Sequence, residues 1–125
     1  QSDMRARRDI INAAEPDLVI SVHQNSYPLR SVSGAQVFYS ASSETGRGYA
    51  ERMQSVLNAA LSCDRAAKSA DYYILECSQY PSVLVECGFM SNPEEESRLV
   101  TPEYRRKVAY ALYSCIVSIL GAEDA

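Results

Sequence analysis

Two near-continuous apolar runs set the strongest limit on what this chain can fold into. The first, DLVISVH, covers residues 17–23, and the second, SVLVECGF, covers residues 82–89. Strands with apolar residues on both sides suit a sheet that is covered on both faces. Helical patterns lie before, between and after the two runs, so the chain is predicted to be an α/β protein. Its sheet should be twisted and largely parallel or mixed, with helices packed on both faces.

The other helices and strands are assigned from apolar periodicity and from capping and turn residues. Helices are predicted at residues 3–14, 46–61 and 102–120 and directly after Pro93. Further strands are predicted at residues 35–40 and 71–77. The apolar stripe of the first helix contains Met4, Ile10, Ile11 and Ala14. In sheets of this class ligands gather at the carboxyl ends of the strands, so the polar residues there are the candidate site.

Charge and hydropathy argue against nucleic-acid binding and against a membrane-spanning helix. The chain has 12 basic and 16 acidic residues, a net charge of −4, whereas nucleic-acid binding favours a clustered basic face. No apolar run approaches the roughly 20 residues that a membrane-spanning helix needs. We therefore expect no nucleic-acid partner and no membrane span. The 125 residues, 46% of them hydrophobic, suffice for one domain with its own core.

The four cysteines do not form a recognisable metal or redox motif. Cys63, Cys77, Cys87 and Cys115 contain no C-x-x-C pair, which excludes a zinc ribbon and a thioredoxin-like site. They are predicted to be small, reduced, apolar side chains, although a Cys77–Cys87 disulfide stays open. A cysteine hydrolase that pairs Cys87 or Cys77 with His23 is disfavoured, because no helix begins directly after either cysteine to lower the thiol pKa.

Two residues interrupt the apolar runs near the strand ends. His23, the single histidine of the chain, closes the first run, and Glu86 lies inside the second. Each residue alone has an ordinary structural explanation, as a satisfied core histidine or as a paired glutamate. A buried carboxylate nevertheless costs several kcal/mol unless it is paired, hydrogen-bonded or neutralised. Together at one sheet edge the two suggest metal-assisted hydrolysis, with the imidazole on a zinc ion and the carboxylate activating water.

Four segments carry a resemblance to a known family. In chain order they are PDLVISVHQNS, SGAQVFYS, PSVLVECGFMSNPEE and YRRKVAYAL. Their order and spacing resemble the zinc-dependent N-acetylmuramoyl-L-alanine amidases of the amidase type 3 catalytic family. The Ser-x-His-x-Asn and Val-Glu-x-Gly-Phe-x-Ser-Asn motifs are the specific part. The resemblance implies a bacterial cell-wall hydrolase that cuts the amide between the lactyl group of N-acetylmuramic acid and the L-alanine of the stem peptide.

The resemblance also implies roles for individual residues. In the family two histidines and one glutamate hold the zinc ion, and a second glutamate acts on the water. His23 matches the later histidine ligand, and Glu86 matches the catalytic glutamate. Asn25 is a candidate for substrate binding, with a turn-forming role as the alternative. Arg65 and Lys68 lie just before the predicted third strand, where basic groups would suit the carboxylates of muropeptides.

One part of the family pattern has no counterpart here. The first histidine ligand lies in an Asp-Pro-Gly-His-Gly-Gly segment and the glutamate ligand on the next helix, and neither segment occurs. Residues 1–125 are expected to be the C-terminal two-thirds or so of the catalytic domain, without its first strand and helix and without a signal-peptide pattern. Such a chain is expected to bind zinc weakly, to be inactive alone and to self-associate through an exposed sheet edge.

The implied partner is peptidoglycan or its muropeptide fragments, and the implied location is extracytoplasmic: cell wall, periplasm or secreted fraction. Two alternative functions stay open. The first is a non-catalytic relative of the amidases that binds cell-wall fragments or regulates an active amidase. The second is another zinc hydrolase, such as a carboxypeptidase-like enzyme, although the pattern of loops fits the amidases better.

Overall fold

The computed structural model describes residues 2–25, 35–89 and 102–121. These residues form four helices and four strands. The helices are α1 (Ser2–Ala14), α2 (Glu44–Leu61), α3 (Tyr73–Glu76) and α4 (Pro102–Gly121). The strands are β1 (Val19–Asn25), β2 (Gln36–Tyr39), β3 (Lys68–Ser69) and β4 (Ser82–Phe89).

The strands form one mixed sheet in the order β1-β4-β2-β3. Strand β1 pairs with β4 in parallel, β2 pairs with β4 antiparallel, and β3 runs parallel to β2. The carboxyl ends of β1 and β4 therefore lie at the same edge of the sheet as the amino ends of β2 and β3. Each of the four strands contributes polar residues near that edge.

Alternate residues of β4 pack against helices on opposite faces of the sheet. Val83 and Val85 are fully buried in the main core, which α2 and α4 complete with Met53, Leu57, Val108, Leu112 and Ile119. Leu84 points the other way and packs with α3, and residues of α1 add to that smaller cluster. The prediction of an α/β sheet with helices on both faces is confirmed.

One predicted strand is wrong. Residues 71–77 contain a single helical turn, α3, and the third strand is the residue pair Lys68–Ser69. Aromatic and branched side chains favour a strand over 71–77 by propensity. Tertiary packing overrides that preference, because Ile74 and Leu75 are consecutive and both are buried against one face of the sheet. A strand would have directed them to opposite faces.

The remaining expectations divide between confirmed details and small corrections. Met4 and Ile11 of α1 pack against the smaller cluster. Ile10, which is 68% exposed, and Ala14, which is also exposed, were wrongly placed in that stripe. All four cysteines are free thiols, so the Cys77–Cys87 disulfide is absent. No described helix is both long and apolar enough to cross a membrane. The acidic helix predicted after Pro93 lies outside the described residues.

Candidate active site

His23 and Glu86 lie side by side at the carboxyl edge of the sheet. They are partners in the parallel register of β1 and β4, so their side chains share one face and their strands are about 4.8 Å apart. The imidazole is half-buried, whereas Glu86 is only 2% exposed. The sequence predicted that these two residues lie together, because each of them interrupts an apolar run. The register supplies the geometric basis for treating them as one site.

Ser21 orients the imidazole of His23. Its hydroxyl oxygen lies 2.8 Å from Nε2 of the ring, on the same face of β1 and two residues earlier. A hydrogen bond at one ring nitrogen fixes the orientation of the ring and leaves the other nitrogen to a ligand. In the tautomer with a proton on Nε2, that N–H donates a hydrogen bond to the Ser21 hydroxyl and Nδ1 keeps its lone pair.

Gln36 continues the site across the sheet. It is the register partner of Glu86 on the antiparallel strand β2 and is 2% exposed. Directly opposed residues of an antiparallel pair share a face, so His23, Glu86 and Gln36 form a line across three strands. Sequence reasoning missed Gln36, because nothing in the AQVFYS segment distinguishes a buried amide from a solvent-facing one.

A network of three amide side chains anchors the loop between α2 and β3. The Nε2 of Gln36 donates to Gln54 Oε1 at 3.3 Å and to the carbonyl oxygen of Ala66 at 2.8 Å. Gln54 in turn accepts from the backbone N–H of Val37 at 2.8 Å and donates to Asn58 at 3.0 Å. These bonds hold the loop against the edge of β2.

Arg65 lies at the end of this line, on the anchored loop. Its Nη1 donates to Gln36 Oε1 at 3.4 Å, and Asn58 Nδ2 donates to the Arg65 carbonyl at 2.8 Å. We call His23, Glu86, Gln36 and Arg65 the polar row. A cleft of about 500 Å³ opens beside Gln36 and Arg65, and Lys68 also lines it.

The cysteines near this edge do not suit a nucleophilic role. Burial, with a smaller contribution from the charge of Glu86, raises the pKa of the Cys87 thiol to about 11. Cys87 also belongs to the core face of β4 rather than to the face of the polar row. A catalytic cysteine requires a lowered thiol pKa, so the structure supports the rejection of a cysteine hydrolase.

The fit to a metal ion is partial. A half-buried imidazole beside a buried carboxylate is a donor pair that suits zinc, and the Ser21 contact is the kind of second partner that orients a ligating histidine. Within residues 2–25, 35–89 and 102–121, no group of three or more His, Cys, Asp and Glu side chains comes together. Within the described residues, the candidate donors at this edge are therefore one imidazole and one carboxylate. Asn25 ends β1 opposite Phe89, after an irregularity in the register.

Comparison with known proteins assigns the family. The family model for N-acetylmuramoyl-L-alanine amidase matches residues 1–118. The chain belongs to the N-acetylmuramoyl-L-alanine amidase family. The matched range includes all four residues of the polar row. The match favours the amidases over the carboxypeptidase-like alternative.

Individual amidases share both the sequence and the fold. The chain is 35% identical over 117 residues to the germination-specific N-acetylmuramoyl-L-alanine amidase of Bacillus subtilis, covering 92% of this chain and 49% of that protein. It is 34% identical to the amidase LytC of the same organism, covering 85% of this chain and 22% of LytC.

Among solved structures, the CwlD amidase from Clostridioides difficile in complex with the GerS lipoprotein superposes with a TM-score of 0.89. The sequence identity is 30%, over 95% of this chain and 62% of that one. The chain thus spans about half of the first relative and under two-thirds of the solved amidase.

Proposed function

We propose that this protein is the partial catalytic domain of a zinc-dependent peptidoglycan hydrolase. The reaction is hydrolysis of the amide between the lactyl group of N-acetylmuramic acid and the L-alanine of the stem peptide. Family membership supports the reaction type. The single observation that carries the site is the register of His23 with Glu86, which places an imidazole and a buried carboxylate on one face at one sheet edge.

Each residue has a defined task in this proposal. When bound, zinc polarises the carbonyl of the scissile amide and lowers the pKa of a water molecule. His23 would supply one ligand, and Ser21 would hold its ring in the tautomer that presents Nδ1. Glu86 would take the proton from the attacking water and transfer it to the departing amide nitrogen of L-alanine. Burial keeps that carboxylate away from bulk water during the transfer.

The same proposal limits what residues 1–125 do by themselves. A catalytic zinc site generally has three protein ligands, and the chain contains one histidine. We expect weak zinc binding and no hydrolysis by this chain alone. Isothermal titration with zinc tests the first expectation, and a stoichiometric, sub-micromolar site that includes His23 would contradict it.

The decisive experiment compares this chain with a chain extended at its N-terminus to family length. Both are incubated with purified muropeptides and zinc, and the products are identified by mass spectrometry. The extended chain should release a stem peptide with a free L-alanine amine, and the 125-residue chain should not. Glu86→Gln in the extended chain should abolish release. An extended chain that binds muropeptides but never cleaves them would instead support a non-catalytic, cell-wall-binding or regulatory relative.

Strand β1 suggests how the chain associates. Of the residues that the structure describes, none pairs with the outer edge of β1, and Val22 on that strand is 56% exposed. Exposed strand edges invite pairing with a second copy. We expect concentration-dependent self-association in sedimentation velocity, and a strictly monomeric chain at high concentration would contradict this. Because the proposed substrate is the cell wall, we expect the protein to act outside the cytoplasm.

A further inference from the structure

Helix α4 has a second apolar stripe, on the side away from the core. We call it the outer stripe. Its members recur at alternating three- and four-residue spacings and are between 39% and 71% exposed: Tyr110, Tyr113, Val117 and Leu120. The sequence from residue 108 to residue 121 contains no charged side chain. This spacing is that of a helix–helix contact, and a helix that is apolar on all sides is ordinarily buried. The outer stripe therefore has the features of a protein interface.

We propose that the outer stripe binds the same stripe of a second copy of this chain, with the two α4 helices antiparallel. Tyr113 of one copy then lies opposite Val117 of the other, and Tyr110 lies opposite Leu120. Such a contact is isologous and closes at two copies. It is independent of the proposed reaction, and it uses a different surface from the outer edge of β1.

The charges of α4 favour the antiparallel direction. Its cations all lie near its amino end, at Arg105, Arg106 and Lys107, and its last turn contains none. The carboxyl end of a helix carries a partial negative charge, which nearby cations stabilise. In an antiparallel pair the cations of each helix approach the carboxyl end of the other, whereas a parallel pair would bring the two sets of cations together. The two ends of α4 are thus complementary to each other, which favours a second copy as the partner.

A groove between α2 and α4 adjoins the amino-terminal half of the outer stripe. Its volume is about 680 Å³, and its lining includes Tyr110 and the small side chains of Ala59 and Ala60. Arg52 of α2 donates to the hydroxyl of Ser118 of α4 at 2.8 Å, which links the two helices that form the groove. Because the helices of the pair are antiparallel, the carboxyl-terminal half of one stripe lies beside the groove of the other copy. Leu120 then has an apolar groove to enter.

The exposed area of the outer stripe suffices for a weak dimer. A fully buried tyrosine removes about 150–250 Å² from water, so the exposed parts of the four side chains amount to roughly 400 Å² in each copy. With the residues that line the groove, two copies would bury roughly 1,000 Å² in total, at the low end of specific interfaces. We therefore expect a dimer that forms only at high protein concentration.

The test is sedimentation velocity on the 125-residue chain carrying Val22→Lys, because a lysine on an exposed strand edge blocks pairing at β1. This chain should still dimerise, with a Kd below about 1 mM. Two charge variants are made in the same background: Tyr113→Lys with Val117→Lys, and Tyr113→Glu with Val117→Glu. Each should dimerise at least about tenfold more weakly because like charges meet, and a 1:1 mixture of the two should restore the dimer. Ile10→Lys, at an equally exposed apolar position of α1, should leave dimerisation unchanged.

Three results would overturn the proposal. They are a Val22→Lys chain that stays monomeric up to about 1 mM, dimers that neither charge variant weakens, and a mixture that associates no better than its components. Recovery on mixing distinguishes a direct contact from a loss of folding, because an unfolded variant does not regain a partner when its counterpart is added. If Val22→Lys does not fold, the charge variants are compared in the wild-type background. Mixing must then raise the association constant above that of either variant alone.

Discussion

The two faces of strand β4 differ by one step in sequence and have opposite roles. Val85 is fully buried against α2 and α4, and its removal from water stabilises the fold. Glu86, the next residue, is almost as deeply buried on the other face but adjoins a histidine and a glutamine. Burial of Val85 favours folding, whereas burial of Glu86 opposes it. Such a cost is typical of a residue kept for chemistry rather than for stability.

The core face should be the more sensitive one to loss of side-chain volume. Leu57 of α2 is fully buried in the main core, and Leu57→Ala should lower the free energy of unfolding by about 2–5 kcal/mol. Leu120→Ala, at a 39% exposed position of α4, is the matched control and should cost much less. Urea denaturation of both variants gives the comparison. Equal losses would mean that α2 does not close the core.

Thiol chemistry should distinguish the buried face of β4 from the partly exposed positions. Burial, and then the charge of Glu86, raises the pKa of Cys87 from 9.0 to about 11. Cys63 and Cys77 are half-buried. Near pH 8, iodoacetamide should alkylate Cys87 about a hundredfold more slowly than an ordinary thiol, because only the thiolate reacts.

The same rise in the pKa of Cys87 should make the folded state less stable at high pH. As pH rises from 9 towards 11, the unfolded Cys87 thiol loses its proton while the folded one keeps it. The contribution of this group to stability is therefore intact below pH 9 and declines above it.

Peptide mapping by mass spectrometry measures the alkylation rates. Rapid labelling of Cys87 at pH 8 in the folded chain would contradict its assignment to the core face.

The amide network should be the stabilising part of the polar edge. Gln54 accepts from the backbone N–H of Val37 and donates to the carbonyl of Ala35 at 3.0 Å. Gln54→Leu keeps the volume but leaves these buried groups without that partner, at a cost of about 1–3 kcal/mol. Gln79→Leu, at an exposed position, is the control and should stay within about 0.5 kcal/mol of wild type. No difference between the variants would show that the network is dispensable.

The hydrogen bond between Ser21 and His23 should affect the histidine without affecting the fold. Ser21→Ala should shift the populations of the two neutral His23 tautomers by about fivefold, since one hydrogen bond contributes about 1 kcal/mol. Nitrogen-15 spectra report the tautomers directly, and the chain has no other histidine to overlap. Ser55→Ala, on the exposed side of α2, should leave the populations unchanged. Identical spectra of wild type and Ser21→Ala would contradict the role of Ser21 in setting the His23 tautomer.

Much of the fold could be predicted, because long periodic segments and buried strands carry strong local signals. The apolar runs identified β1 and β4, and the amphipathic stripes identified α2 and α4. The pair Lys68–Ser69 carries no such signal, since both residues are exposed and their strand exists only through pairing with β2. The turn at Tyr73–Glu76 was mistaken for a strand because local propensity cannot show that one face buries consecutive residues.

The candidate site was predictable only where polar residues interrupt apolar runs. His23 and Glu86 stand out for that reason. Gln36 does not, because its place beside Glu86 depends on the register of an antiparallel pair. Arg65 was noticed as a basic residue near a strand, but its clamp by Asn58 comes from a contact across the end of α2. Strand register and the contacts that hold a loop in place are tertiary properties, so they could not be predicted from this one sequence.

The division of β4 into a core face and a site face is tested most directly by two adjacent substitutions in the N-terminally extended, zinc-loaded protein. Muropeptide hydrolysis and the free energy of unfolding are measured for Glu86→Gln and for Val85→Ala. We predict that Glu86→Gln lowers kcat by about 10²–10⁴-fold while its unfolding free energy stays within about 1 kcal/mol of wild type. Val85→Ala should lose stability and keep kcat within a few-fold. Undiminished hydrolysis by Glu86→Gln would contradict the account.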